Sequence, residues 1–181
     1  MIKIMLRLNP LNKAVVLFLL IIPFLLAFSV GTARNDALKI HNDARAEVGQ
    51  SDLQWSGKLE REAKRYANLL ARRDRGLKHD MKSKDGENLY MEWSMGEYEQ
   101  SDESDSNDNY LGRASEAWLS ERDEYTYDRV SWSNMNTGHY TQMIWSSTQH
   151  VGIAYAISES GTVYVVARYS PAGNIIGDYP Y

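Results

Sequence analysis

The amino-acid sequence predicts an α+β domain built in layers. Three helix-period stretches come first and two strand-period stretches come last. That segregation argues against a doubly wound parallel sheet, which would alternate the two. In the strand stretches small residues alternate with large ones, so one face of the sheet must pack closely against another element.

Asn35 or Asp36 can cap the first helix, where Ala37, His41, Ala44 and Val48 recur at helical spacing beside Leu38 and Ile40 until Gly49 ends it. The second helix starts at Ser56. Leu59, Ala63, Tyr66, Ala67 and Leu70 form its apolar stripe, Arg72, Arg73 and Arg75 suit the negative end of its dipole, and Gly76 stops it. Residues 77–90 are mixed and polar, ending in Gly86-Glu87-Asn88-Leu89-Tyr90. Residues 97–109, rich in Asp, Glu, Ser and Asn, read as a solvated loop, without the ligand spacing and glycine of an EF-hand. The third helix runs over 111–124. Leu111, Ala114 and Trp118 share a stripe on which Glu121 falls next, and a carboxylate on a buried face needs a partner. In the last third, Val151, Ile153, Tyr155 and Ile157 alternate with Gly152, Ala154 and Ala156, and Val163, Val165 and Ala167 alternate with Tyr164, Val166 and Arg168. Residues 158–161 turn the chain between them, giving a hairpin.

The N-terminus has a different character. Lys3, Arg7 and Lys13 precede an apolar run from Ala14 to Val30, broken by Pro23 and Ser29, and Gly31 and Ala33 follow as small residues. This is the order of a secretory signal peptide over residues 1–33, with cleavage near Ala33. The alternative is an uncleaved anchor, for which a run of 17 residues is at the short edge. Either way residues 34–181 are exported.

Removing residues 1–33 takes away three of the 20 basic residues and none of the 24 acidic ones, so the net charge moves from −4 to −7. Such a surface argues against a sequence-independent nucleic-acid binder, which needs clustered Lys and Arg. The chain has no cysteine, so its stability rests on packing and hydrogen bonds, which a domain of this size can supply unaided. It has no Asn-x-Ser/Thr acceptor for glycosylation.

Four histidines are present. His41, on the stripe of the first helix, reads as a hydrogen-bonded core residue, and His150, ahead of a strand, reads as a surface residue. His79 precedes Glu87 in a loop, and His139 stands in Gly138–Trp145, where a polar pair meets an apolar run. Such junctions between loops and regular elements are common places for sites. No His-Glu-x-x-His, no Gly-x-Ser-x-Gly and no cysteine nucleophile exists, and spacing alone does not bring His79, Glu87, Glu121 and His139 together.

Residues 138–148 (GHYTQMIWSST) resemble the first signature of the CAP superfamily, the cysteine-rich secretory, antigen five and pathogenesis-related proteins. Residues 169–174 (YSPAGN) resemble the second. Residues 86–89 (GENL), Leu38-x-x-His41-Asn42, and Trp118-x-x-Glu121 followed by Tyr125 and Tyr127 resemble three further stretches, all in family order over residues 36–181. The resemblance implies a three-layer α-β-α sandwich whose central cleft is lined by His79, Glu87, Glu121 and His139. Ala167 stands where the second signature usually carries cysteine, and in this the chain is similar to the cysteine-free Golgi-associated branch, which does not normally use a signal peptide. The acidic run is an insertion between the two glutamates.

These readings lead us to expect a secreted, non-enzymatic binding module. His79 and His139, as neutral imidazoles, suit Zn²⁺ with water completing the site and the carboxylates as outer partners. The resemblance also implies a sterol or lipid ligand and a defence role. Tyr90, Trp93, Met95 and Tyr98 either add an amphipathic surface for lipid or simply flank a loop. An alternative is a metal-assisted hydrolase or protease with Glu87 or Glu121 as general base. In a third reading the four residues form a hydrogen-bonded network that orders the cleft without chemistry.

Overall fold

The computed structural model describes residues 32–93 and 109–181. The expected signal peptide, apart from residues 32 and 33, lies outside the described residues, as do Met95, Tyr98 and all of the acidic run except Asn109. Helix α1 covers residues 32–47. There follow β1 (Gln54–Trp55), α2 (Gly57–Arg73), β2 (Gly86–Trp93), α3 (Tyr110–Ser120), two 3₁₀ segments (Glu121–Glu124 and Trp132–Thr137), α4 (Gly138–Met143), β3 (His150–Ile157) and β4 (Thr162–Ser170). Among the described residues no helix is long and apolar enough to cross a membrane.

The sheet order is β1-β3-β4-β2, with β1 parallel to β3 and the other pairs antiparallel. The expected hairpin is β3–β4, closed after Ile157↔Val163, with Gly161 supplying a φ of 91° in the turn. Strand β2 is the element that the polar reading of residues 77–90 passes over. Gly86, Glu87 and Asn88 interrupt its apolar pattern, yet it pairs with β4 from Gly86↔Tyr169 to Trp93↔Thr162.

Alternation on β3 and β4 separates two apolar layers. Ala154, Ala156, Tyr164 and Val166 meet Ala63, Tyr66, Ala67 and Leu70 of α2. Val151, Ile153, Val163 and Val165 meet α1, α3 and α4 on the opposite face, through Ala44, Trp118, Met143 and others. The result is the expected three-layer α-β-α sandwich of α+β class.

Three helix boundaries differ from expectation. Asn35 and Asp36 lie inside α1, and the Asp36 carboxylate accepts a hydrogen bond from Asn109 Nδ2 at 3.0 Å, a tertiary partner in place of a capping role. Helix α2 does start from the Ser56 cap, but it ends with Asp74 in the left-handed region (φ 45°), ahead of Gly76. Helix α3 stops at Ser120, and the chain tightens to 3₁₀ at Glu121, which leaves the buried stripe and becomes partly exposed. Asn109, last residue of the acidic run, caps α3 by accepting from the Gly112 amide at 3.0 Å.

In place of disulfides, a buried arginine ties remote segments. Arg45 of α1 donates to the main-chain oxygens of Ser51, Met143, Trp145 and Thr148 at 2.6–3.1 Å.

Candidate functional site: two histidine–carboxylate pairs

His79 and Glu87 form the first pair. Tyr66 of α2 donates its hydroxyl to the Lys78 carbonyl at 2.6 Å and so holds the loop that carries His79. His79 Nδ1 lies 2.6 Å from Glu87 Oε1, which also accepts from the Asp80 amide at 3.0 Å. Glu87 faces Arg168 across the β2–β4 ladder. The guanidinium makes ionic contacts of 3.1 Å to Glu87 Oε2 and 2.9 Å to Asp80, and it lies over the Tyr66 ring. Glu87 and Arg168 are almost wholly buried, whereas the His79 side chain is 58% exposed. The bond to Glu87 raises the His79 pKa above the ordinary histidine value, burial opposing it.

His139 and Glu121 form the second pair. His139 is the second residue of α4, and its Nδ1 is 2.6 Å from Glu121 Oε1. The other carboxylate oxygen accepts from the His139 and Tyr140 amides at 2.9 and 3.1 Å, two donors that the helix start leaves without intrahelical partners. The ring also stacks on Trp118, with centroids 6.2 Å apart, and the Trp118 indole donates to the Leu89 carbonyl of β2. Glu121, just past the end of the α3 stripe, thus has a partner for its carboxylate in His139 and the start of α4.

In both pairs the carboxylate can only accept, so Nδ1 carries the hydrogen and Nε2 is the bare nitrogen of the neutral ring. Among the described residues no hydrogen bond occupies either Nε2, and both rings reach the surface. This is the arrangement in which an outer carboxylate orients a metal-ligating imidazole. Among the described residues no group of three or more His, Cys, Asp and Glu side chains converges as a ready set of metal ligands. Each pair thus offers one imidazole Nε2 to the surface, with its glutamate bonded to the far side of the ring.

The four expected residues are thus gathered as two pairs. No side-chain hydrogen bond among the described residues joins the pairs directly. The link is Asn88, next to Glu87 on β2, whose Nδ2 donates to the His139 carbonyl at 3.0 Å. Sequence reasoning passed over Asn88, Arg168 and Tyr169 as site residues. A charge at 168 within an apolar strand was the available signal for one of them. His41 is the buried, hydrogen-bonded residue expected, and His150 opens β3, half-exposed. Tyr90 is half-buried and bonds Glu92, while Trp93 is 63% exposed.

The sandwich is of the CAP type, and the sequence profile of the cysteine-rich secretory protein (CAP) family matches residues 38–169. The chain belongs to this family. It is 34% identical to human Golgi-associated plant pathogenesis-related protein 1, over 80% of this chain and 86% of that one. It is 34% identical to pathogenesis-related leaf protein 4 of Solanum lycopersicum, over 81% and 82%. The solved structure of NaASP2 with Zn²⁺ superposes with a TM-score of 0.67 at 25% identity, covering 82% of this chain and 84% of that one.

Proposed function

We propose that the protein is an exported binding module that takes a divalent cation, zinc by preference, through Nε2 of His79 and His139, with water completing the coordination. The observation that carries this reading is the pairing of each Nδ1 with a glutamate at 2.6 Å while Nε2 is left to the surface. The zinc named with the NaASP2 structure agrees with it. Sterol or lipid binding and a defence role are part of the same proposal. The relatives named pathogenesis-related support the latter, and exposed Trp93 supplies an apolar contact for the former.

The state of the carboxylates favours binding over hydrolysis. A general base must reach a water on the substrate side. Glu87 is occupied by His79, the Asp80 amide and Arg168, and Glu121 by His139 and two amides.

Calorimetric titration with zinc at about pH 7.5 and about pH 5.5 tests the reading, since protons compete for the imidazoles. Binding at the higher pH that is weakened at the lower, and lost in both His79→Ala and His139→Ala, is the expected result. Absence of binding in the unaltered protein, or binding that survives both changes, overturns it. Extraction assays with sterols and fatty acids test the lipid part separately.

A further inference from the structure

Strand β2 and helix α4 meet along one seam, and each carries one half of the site. Glu87, the partner of His79, is on β2, and His139 is on α4. The seam is closed at two points. Gly86 is so close to α4 that a Cβ there would lie 2.1 Å from Gln142 Oε1. That oxygen cannot swing aside freely, because it accepts from the Gly173 amide at 3.0 Å while Gln142 Nε2 donates to Thr148 Oγ1 at 3.3 Å. The second point is the bond from Asn88 Nδ2 to the His139 carbonyl.

Asn88 is itself held by a buried chain whose direction is determined. His41 is fully buried, which pushes its pKa down to about 4, so its ring is neutral with a single N–H. The Ala37 carbonyl, 2.8 Å from Nδ1, can only accept, so Nδ1 carries that hydrogen. Nε2 must then accept, and Tyr169 Oη, at 2.8 Å, must donate to it. Tyr169 Oη in turn accepts from Asn88 Nδ2 at 3.1 Å. Both N–H groups of Asn88 are thereby used, one toward His139 and one toward the core, which settles the orientation of its amide. Asn88, Tyr169 and His41 are each at most 1% exposed.

We infer that Gly86, Asn88 and Tyr169 are positioning residues that set the spacing between His79 and His139. The inference rests on the two-histidine metal reading. It gives the buried polar chain a role in the site beyond stability, because the seam fixes how far α4 stands from the strand that orients His79.

Gly86→Ala inserts one carbon into the seam without touching either histidine pair. Zinc affinity is expected to fall about tenfold or more, the usual scale for displaced supporting groups. Urea unfolding of the same variant separates spacing from stability: a general loss of structure lowers the unfolding midpoint together with the affinity, whereas altered spacing weakens zinc binding by a protein that still unfolds cooperatively. Crystal structures of the metal-free parent and Gly86→Ala should show a wider Nε2–Nε2 separation in the variant. If the variant folds, binds zinc like the parent and keeps the separation, the inference is overturned. If the parent binds no zinc, the metal reading fails, and the measured separation alone decides whether the seam sets the spacing. Should Gly86→Ala fail to fold, Asn88→Ala and Tyr169→Phe ask the same question from the other side.

Discussion

Gly152 of β3 and Glu60 of α2 approach so closely that a Cβ on the glycine would lie 2.2 Å from the Glu60 amide nitrogen. The carbonyl carbon of Leu59 would be 2.7 Å away. Both are main-chain atoms in the first turns of α2, so no rotamer change relieves the clash. Gly152→Ala must therefore move the helix or the strand. We expect a loss of about 1–3 kcal/mol, the usual range for overpacking, read from urea unfolding. An unchanged midpoint would show that the two layers have slack that the geometry denies.

Arg45 is the nearest thing this cysteine-free domain has to a covalent staple. Its removal leaves four main-chain oxygens short of a donor. Arg45→Met keeps much of the side-chain volume and removes the hydrogen bonds. Since an unsatisfied buried polar group costs about 1–3 kcal/mol, we expect the variant to lose at least about 3 kcal/mol in chemical denaturation.

The two glutamates should respond differently to removal. Glu87→Ala strips a buried guanidinium of one of its two carboxylates, and breaking such a pair costs about 3 kcal/mol or more. Glu121 is more exposed, and its loss uncaps two amides of a short helix, for which about 1–2 kcal/mol is expected. Both values come from parallel denaturation curves. Equal losses would mean that the Glu87–Arg168 contact contributes little. An unfolded Glu121→Ala protein would favour the reading of the four residues as an ordering network.

Two histidines pull the pH dependence of stability in opposite directions. His41 titrates at about 4 when folded and near 6.5 when unfolded, so unfolding takes up a proton between those values. Stability should fall by about 3 kcal/mol as the pH drops through that window. His79 has a raised folded pKa because of Glu87. Its contribution is fully present below about 6.5 and is lost as the pH rises through the raised value. His79→Gln should remove the second trend and leave the first, which unfolding curves between about pH 4 and about pH 8 would reveal.

Much of the fold was legible in the order of residues because helix and hairpin patterns are local. The stripe of α2 and the alternation of β3 and β4 are written in neighbours a few positions apart, and a packed layer follows from them. Strand β2 was not legible, because Gly86, Glu87 and Asn88 are small or polar and break the apolar alternation that would announce a strand. The end of α3 was misread for a related reason. Glu121 has helical spacing from Trp118, but its carboxylate is claimed by α4, and the chain has tightened to 3₁₀ by that point.

By itself the sequence determined an α+β domain without disulfides and the family motifs, and the resemblance carried by those motifs singled out His79, Glu87, Glu121 and His139. Only the tertiary structure decided how they divide, Glu87 with His79 above Arg168 and Glu121 with His139 at the start of α4. It also decided that Asn88 joins the halves. The physical reason is that these contacts depend on strand register and on the seat of one helix against a sheet edge. Those are relations between segments far apart in the chain, which local periodicity does not encode.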